Sequence, residues 1–215
     1  MAGAATPRLQ ATGLACVRGR RTLFQALDLQ LAGGELLRVE GANGAGKSSL
    51  LRLLAGLALP SSGEVLWQGL PIRGQRESYA RDLLYLGHLG GMKEELTPLE
   101  NLQADRALSA PAGAAPDVDA CQRALLDWGL AASGRLPLRL LSAGQRRRVA
   151  LARVSLNEAT LWILDEPFTA LDVQAVAQLS QLIDQHLARG GLAVVTSHQP
   201  LALATTRVQT VALDA

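Results

Sequence analysis

Hydrophobic and polar positions change their spacing along this chain, and in the first part they alternate in short runs. Residues 27–31 are an example, and a Gly33-Gly34 pair shortly after them marks a turn. Alternation of this kind is typical of strands with one buried face. We therefore predict an antiparallel β apron over residues 8–40, with residues 35–40 as a buried strand, and a further strand over residues 63–69.

Later segments show two other spacings. Continuous apolar runs predict strands buried on both faces over residues 83–87, 161–164 and 192–196. Apolar residues at helical spacing predict helices over residues 49–55, 118–128, 142–156 and 173–188. Another helix is predicted to begin at Thr97, because Pro98 suits the first helical position and Glu100 completes a capping box.

These elements predict a single α/β domain over residues 1–215. Residues 109–116 are rich in Ala and Pro and predict a loop between helices. The segment from about residue 89 to residue 157 is therefore expected to form a mostly helical subdomain inserted into the α/β core.

Composition excludes several classes of protein. The 215 residues carry a net charge of +2 spread along the chain, so no nucleic-acid-binding stripe is expected. Cys16 and Cys121 match no zinc or redox spacing and are predicted to be buried, reduced thiols. The N-terminus lacks a signal-peptide core, and no apolar stretch approaches the roughly 18 residues of a membrane span. If the protein serves transport, another chain must cross the membrane.

A phosphate-binding loop is predicted between residues 35–40 and the helix that follows. The run Gly41-Ala42-Asn43-Gly44-Ala45-Gly46-Lys47-Ser48 fits the pattern G-x-x-x-x-G-K-S, and Ser49 extends the predicted nucleotide site into the helix. The glycines let backbone N–H groups converge on a phosphate of ATP at the helix N-terminus. Lys47 adds a positive charge and Ser48 a hydroxyl ligand for Mg²⁺. An ordinary glycine-rich turn is the alternative.

Two carboxylates follow the apolar run 161–164. Asp165 and Glu166 would lie at the carboxyl edge of the sheet, where open α/β sheets bind ligands. Asp165 is predicted to hold Mg²⁺ through water, and Glu166 to activate the water that attacks the γ-phosphate. A surface acidic pair at the start of a helix is the alternative, although the apolar run before it argues against that reading.

With these motifs, the run Leu141-Ser142-Ala143-Gly144-Gln145 resembles the signature of ABC transporter nucleotide-binding domains, and the resemblance covers nearly the whole chain. It implies a P-loop NTPase core of the ABC ATPase type that works as a homodimer. Ser142, Gly144 and Gln145 would then meet, in trans, the γ-phosphate of ATP held by the other copy.

Four further assignments are implied by the same resemblance. Asp172 would belong to the D-loop that crosses the dimer interface, and His198 would be the switch histidine that orients Glu166 or the attacking water. His88 stands where the family usually has glutamine, and it would reach Mg²⁺ through water or relay contact with a membrane partner. Arg18 stands where an aromatic residue usually stacks on adenine, and it would cover the base or be a solvated surface arginine.

A narrower resemblance rests on longer runs. These runs are similar to the ATP-binding subunits of haem exporters that serve cytochrome c biogenesis: Arg21-Thr22-Leu23-Phe24, residues 63–69, Leu86-Gly87-His88, residues 159–169 and residues 196–201. The resemblance implies integral membrane partner subunits of a haem export complex and a peripheral location at the cytoplasmic face of the bacterial inner membrane. Whether haem itself is translocated or a haem-loaded chaperone is released stays open.

Other functions are compatible with some of these motifs. An ATPase of another small ABC transporter, for lipoprotein release or nutrient import, is the main alternative, since hydrolysis motifs do not identify cargo. DNA-repair ABC ATPases carry a coiled coil or zinc module that residues 48–141 lack, and translation-type members usually contain two such domains in one chain. A scaffold without activity is disfavoured because Lys47, Ser48, Asp165, Glu166 and His198 are all present.

No haem site is expected in this chain. His88 and His198 are assigned to the nucleotide site, and His186 lies in the polar stretch 184–186, which predicts a solvated helix face. The chain also has no C-x-x-C-H run for covalent haem attachment. It is therefore expected to act as a motor only.

Overall fold

The computed structural model describes residues 8–88, 91–109, 117–131, 134–197, 203–204 and 207–213. They belong to two compact units, the first made of residues 1–85, 159–166 and 183–215 and the second of residues 86–158 and 167–182. In chain order the described elements are β1 (Leu9–Arg18), β2 (Arg21–Leu31), β3 (Leu36–Gly41), α1 (Lys47–Leu54), β4 (Ser62–Trp67), β5 (Leu70–Pro71), α2 (Arg76–Asp82), β6 (Leu83–Leu86), α3 (Pro98–Ser109), α4 (Val118–Asp127), α5 (Ala143–Ser155), β7 (Leu161–Leu164), α6 (Val173–Ala188), β8 (Leu192–Thr196) and β9 (Val208–Leu213).

An antiparallel sheet with strand order β2-β1-β4-β5 forms the predicted apron. β1 and β2 pair from Leu9 opposite Leu31 to Arg18 opposite Arg21, and β4 pairs with the other edge of β1. The strand predicted over residues 63–69 ends at Trp67, because Gln68 and Gly69 both have positive φ and turn the chain into β5. The antiparallel apron is therefore confirmed for residues 9–31. Its predicted extension to residue 40 is wrong, because residues 36–41 form β3, which pairs in parallel with the buried strand β8.

A second sheet, with strand order β6-β7-β8-β3-β9, carries the parallel pairs of the first unit. β3 lies between β8 and β9 and is parallel to both, and β7 is parallel to β8. Every residue of β7 and β8 is buried, as their continuous apolar runs predict. In β6, by contrast, only Leu84 and Leu86 are buried, and Leu83 and Tyr85 are half-buried, so the prediction of burial on both faces is wrong for this strand. Strand β9 was not predicted, since it is an edge strand and most of its residues are exposed.

The core of the first unit joins helix α1 to strands of both sheets. Leu50 and Leu51 of α1 are fully buried and belong to one apolar cluster with Val39 of β3, Ile163 of β7 and Leu14 of β1. Burial of such side chains contributes about 1.5–3 kcal/mol each to folding. The base of the phosphate loop is consequently held by a packed interior.

Helices α3 and α4 of the second unit begin at defined capping residues. Thr97 and Glu100 form the predicted capping box before α3, with the Glu100 backbone N–H donating to Thr97 Oγ1 at 3.2 Å and Glu100 Oε2 accepting from the Thr97 N–H at 2.8 Å. The Thr97 hydroxyl also donates to Glu100 Oε2 at 2.8 Å, and the two bonds that Oε2 accepts, from the Thr97 N–H first and the hydroxyl second, lower the pKa of the Glu100 carboxyl. Asp117 caps α4 by accepting from the Ala120 N–H at 2.9 Å. Apart from residue 109, the loop predicted over residues 109–116 lies outside the described residues.

The prediction of a solvated His186 is wrong. Only 5% of His186 is exposed, and its ring stacks on Trp162 with a centroid distance of 3.8 Å and an interplanar angle of 9°. Its Nε2 lies 3.1 Å from the Leu192 carbonyl oxygen. The reason is helical spacing: Ile183 and Leu187 are buried on α6, and position 186 lies on the same face despite its polar neighbours.

Other predictions from composition are confirmed. Cys16 and Cys121 are both buried free thiols, and burial raises the pKa of Cys121. Within the described ranges, no helix combines the length and the apolar composition that crossing a bilayer requires. The predicted α/β class, with a parallel core sheet, an antiparallel apron and a helical part, is also confirmed.

Candidate nucleotide-binding and catalytic site

The predicted phosphate loop connects β3 to α1 and depends on two glycines. Gly41 has φ 143°, and a Cβ there would lie 2.6 Å from the Leu213 carbonyl oxygen. Gly46 has φ 106°, and a Cβ there would lie 3.1 Å from Leu23 Cβ. No side chain caps α1 and no acidic residue occupies its first turn. This loop and helix N-terminus therefore present a backbone suited to an anion.

Lys47 lies at the start of α1 and is turned toward the loop. Only 7% of Lys47 is exposed, and its Nζ donates to the Gly41 carbonyl oxygen at 2.7 Å and to the Ala42 carbonyl oxygen at 3.1 Å. Its side-chain entropy is thus already reduced before any ligand arrives. Ser48 is exposed beside it in the first helical turn. The arrangement places a cation and a hydroxyl at the anion-binding end of α1.

The two predicted carboxylates follow strand β7, and Asp165 is only 3% exposed. Thr196, at the end of β8, donates from Oγ1 to Asp165 Oδ1 at 2.8 Å. The same Oγ1 accepts the backbone N–H of Glu166 at 2.7 Å. One buried hydroxyl therefore fixes the positions of both residues.

Strand register places these groups at one edge of the sheet. Thr196 lies opposite Val39, two residues before the loop begins at Gly41, and Leu164 lies opposite Val195. Since the three strands run parallel, the loop, Thr196 and Asp165 share the carboxyl edge of the sheet. The structure thus brings together the loop and the acidic pair, which are far apart in sequence.

Two residues of this edge were missed by sequence reasoning. Thr196 was recognised only as a strand residue, although a polar side chain closing a buried apolar strand was the signal that could have identified it. Tyr85 of β6 was missed as well, and the pKa of its hydroxyl is raised by burial first and by the charge of Asp165 second, while Arg52 lowers it. Tyr85 is thus a neutral hydroxyl that interacts electrostatically with the Asp165 carboxylate.

The oxygen atoms at this edge are of the kind that Mg²⁺ prefers. Ser48 offers a hydroxyl and Asp165 a carboxylate, whereas Mg²⁺ usually takes its other ligands from water and nucleotide phosphates. No group of three or more His, Cys, Asp and Glu side chains in the described part of the chain is placed to hold a metal by itself. The donor set fits a Mg²⁺ ion that arrives with ATP.

The predicted signature residues lie in the second unit, at the N-terminus of α5. The Ser142 hydroxyl accepts the Gln145 N–H at 3.2 Å, and Gln145 Oε1 accepts the Ser142 N–H at 2.9 Å. This capping box fixes the first turn of α5 and leaves Ser142 exposed. Asp172 is also exposed and begins helix α6, where its Oδ1 accepts the Ala175 N–H at 2.9 Å.

His88 lines a cavity of about 480 Å³ in the second unit. Met92, Glu94, Leu138 and Arg146 are among the other lining residues, and Arg146 Nη1 lies 3.8 Å from Glu94 Oε1. The cavity lining therefore combines apolar side chains with an ion pair. The role assigned to His88 stays a prediction.

Two site predictions remain, those for Arg18 and His198. Arg18 is exposed at the end of β1, opposite the exposed Arg21. Two facing arginines at a hairpin tip repel one another and favour an anionic or aromatic partner. His198 lies outside the described residues. The roles given to both residues stay predictions.

Comparisons with known proteins bear on the same residues. Residues 24–169 match the family model described as ABC transporter. The chain is 54% identical to a protein of Aromatoleum aromaticum, covering 90% of each chain, and 48% identical to one of Escherichia coli K12, covering 95% of this chain and 96% of that one. Both are named cytochrome c biogenesis ATP-binding export protein CcmA. A Methylococcus capsulatus protein of the same name is 52% identical, over 90% of this chain and 92% of the relative.

Solved structures share the fold. An ATP-binding subunit of an ABC transporter superposes with a TM-score of 0.76 at 25% identity, covering 89% of this chain and 80% of that chain. A dimeric ATP-binding cassette in a post-hydrolysis state with ADP and Pi gives a TM-score of 0.77 at 22% identity, covering 89% and 88%.

Proposed function

This chain belongs to the ABC transporter family of ATP-binding proteins, and on that premise we propose that it is the ATP-hydrolysing subunit of a membrane export complex for cytochrome c biogenesis. Nucleotide binding and ATP hydrolysis follow from the family. The observation that carries the choice of pathway is the 48% to 54% identity, over nearly full length, to relatives named for that role. The geometry also supports ATP hydrolysis, because the phosphate loop lies at the same edge of the sheet as Asp165 and Glu166, which Thr196 bridges.

ATP would bind with its phosphates against the loop 41–48. The backbone N–H groups and Lys47 would neutralise the β- and γ-phosphate oxygens, and Ser48 and Asp165 would hold the accompanying Mg²⁺. Mg²⁺, when bound, supplies charge neutralisation at the β- and γ-phosphates. Lys47 would exchange its two contacts to loop carbonyl oxygens for contacts to phosphate, which is a short movement of an already ordered side chain.

Glu166 is proposed as the general base. It would accept a proton from a water molecule, which attacks the γ-phosphorus as the bond to the leaving ADP oxygen breaks. Thr196 would be a positioning residue, because its hydroxyl orients the Asp165 carboxylate and the Glu166 backbone. His198 would orient Glu166 or the water.

Completion of the site would require a second copy of the chain. Ser142 and Gly144 at the N-terminus of α5 offer donors to a γ-phosphate, and the exposure of Ser142 supports contact with a partner's nucleotide. Gln145 supports that turn through the capping box. The proposed assembly is thus a homodimer with two ATP molecules at its interface.

The proposed transport function concerns haem. Conformational changes of the ATPase dimer would be transmitted to integral membrane subunits. The cavity lined by His88 in the second unit would contribute to contact with those subunits. The chain would sit peripherally at the cytoplasmic face of the bacterial inner membrane and energise haem delivery to cytochromes c.

Complementation of a bacterium that lacks its own gene for this subunit tests the proposal. The wild-type chain should restore covalent haem attachment to cytochromes c, detected by haem staining of denatured protein, while a Lys47→Ala chain at equal abundance should not. Haem proteins of the b type serve as the control and should be unaffected. Normal cytochrome c in the Lys47→Ala strain would instead support a subunit of a different transporter.

A further inference from the structure

Arg148 of α5 connects three segments of the second unit. Its Nη2 donates to Asp172 Oδ2 at the start of α6, forming an ion pair. Its Nη1 donates to the Trp128 carbonyl oxygen at the end of α4, at 3.3 Å. The Arg148 side chain is 28% exposed and that of Asp172 is 58% exposed, so the ion pair is partly accessible to solvent.

Asp172 uses its two carboxylate oxygens for separate purposes. Oδ1 accepts the Ala175 N–H at 2.9 Å, which caps the first turn of α6. Oδ2 accepts from Arg148. One orientation of the Asp172 carboxylate therefore caps α6 and meets the guanidinium on α5.

A second contact lies one helical turn earlier on α5. A Cβ at Gly144 would lie 3.2 Å from the Ala170 carbonyl oxygen, so the backbone of α5 closely approaches the segment before Asp172. Ala170 has φ 62°, a conformation that a residue with a side chain rarely adopts. Because residues 144 and 148 are four apart, both contacts are made by one face of α5.

We propose that Arg148 is a positioning residue that joins residues 170–172 to the first two turns of α5, so that both approach the partner's nucleotide together. This inference rests on the proposed function, which assigns Ser142, Gly144 and Asp172 to the dimer interface. ATP contact at Ser142 is then conveyed to Asp172 of the same chain through the Arg148 guanidinium. Loss of the pair should weaken closure of the dimer while leaving each copy able to bind ATP.

The alternative is a pair that only stabilises the start of α6. A partly exposed ion pair contributes little to stability, so its removal should leave the fold in place. The chain contains a matched comparison: Asp117 caps α4 through the Ala120 N–H, and Arg123 Nη2 lies 4.0 Å from its Oδ2. That arrangement also pairs a capping aspartate with an arginine, but both residues belong to α4 and its cap.

The test uses the full chain with Glu166→Gln, which should retain ATP without hydrolysing it. Arg148→Met, Asp172→Asn, the double variant, Arg148→Lys and the control Arg123→Met are each added to this parent. Asp172→Asn keeps an oxygen that can cap α6 but removes the charge. Dimerisation with ATP is measured by analytical ultracentrifugation. Monomer affinity is measured with a fluorescent ATP analogue at protein concentrations below dimerisation.

Arg148→Met and Asp172→Asn should each weaken ATP-dependent dimerisation about tenfold or more, with monomer ATP affinity changed less than about twofold. The double variant should be no weaker than the weaker single variant, because both changes remove one interaction. Arg148→Lys should recover part of the loss, and Arg123→Met should match the parent. If Arg148→Met does not fold, Asp172→Asn and Arg148→Lys decide the question.

Failure of this inference and failure of the proposed function give different results. A parent that dimerises with ATP, with Arg148→Met or Asp172→Asn dimerising equally well, would overturn the positioning role alone. Additive losses in the double variant would do the same. A parent that never dimerises with ATP would overturn the proposed composite site as well.

Discussion

Thr196 and Asp165, at the ends of neighbouring parallel strands, are joined by a 2.8 Å hydrogen bond from the threonine hydroxyl to the carboxylate. The same threonine oxygen accepts the Glu166 backbone N–H, so it forms part of the frame that positions the proposed metal ligand and the proposed base. Thr196 is fully buried, and water cannot replace its hydroxyl without cost.

Replacement of Thr196 by Val should keep the shape of the side chain but leave the Glu166 N–H without this acceptor. We expect a loss of about 1–3 kcal/mol in the free energy of unfolding, and a fall in kcat of about tenfold or more from misplacement of Asp165 and Glu166. Thr196→Ser retains the hydroxyl and should recover most of the rate. Equal rates for the Val variant and the wild type would show that the hydroxyl does not position the catalytic groups.

Acid should destabilise the protein through His186. Burial lowers the pKa of His186 to about 4 in the folded chain, against 6.5 for an ordinary histidine. Between these values the unfolded chain binds a proton that the folded chain does not, so this contribution to stability is lost as the pH falls from about 6.5 to about 4, by up to about 1.4 kcal/mol per pH unit.

The variant His186→Gln isolates this effect. Glutamine can still donate to the Leu192 carbonyl oxygen but cannot titrate, although it gives up the stacking on Trp162. Urea unfolding between pH 4 and 7.5 should show a smaller decline on acidification than in the wild type, from a lower starting stability. Carboxylates titrate in both proteins, so the difference between the two curves reports His186. Parallel curves would contradict the assignment.

Substitution of His88 distinguishes a role in ATP hydrolysis from a role in coupling hydrolysis to cytochrome c maturation. His88→Gln introduces an amide oxygen, an acceptable ligand for Mg²⁺, so ATPase activity should survive within about threefold of the wild type. Cytochrome c maturation in the complemented strain is compared directly with that rate, and His88→Ala serves as the control for loss of the polar group. An inactive ATPase in the purified His88→Gln chain would mean that the imidazole takes part in hydrolysis.

Local pattern predicted a large part of this fold. The phosphate loop, the capping box at Thr97, and the buried strands β7 and β8 are each specified by residues adjacent in sequence or one helical turn apart. Such short-range signals depend little on distant contacts, and helix α6 was predicted with the bounds that the structure gives.

The missed features depend on contacts between distant segments. Thr196 became recognisable only when β8 was placed beside β7, and the ion pair between Arg148 and Asp172 joins residues 24 positions apart. His186 was misplaced because three polar residues in a row outweighed its position on the apolar face of α6. Strand β9 pairs with β3 as an exposed edge, where burial imposes little pattern on the sequence.

A mixture of two inactive variants tests the composite ATP site most directly. Lys47→Ala disables the phosphate loop of its own copy, whereas Ser142→Arg disables the signature that a copy offers to its partner. In a mixed dimer, one site combines the intact loop of the Ser142→Arg chain with the intact signature of the Lys47→Ala chain. Random pairing of equal amounts should then restore up to about a quarter of the wild-type ATPase rate, since half of the dimers carry one intact site of two. Activity no higher than the average of the separate variants, despite formation of mixed dimers, would contradict the account.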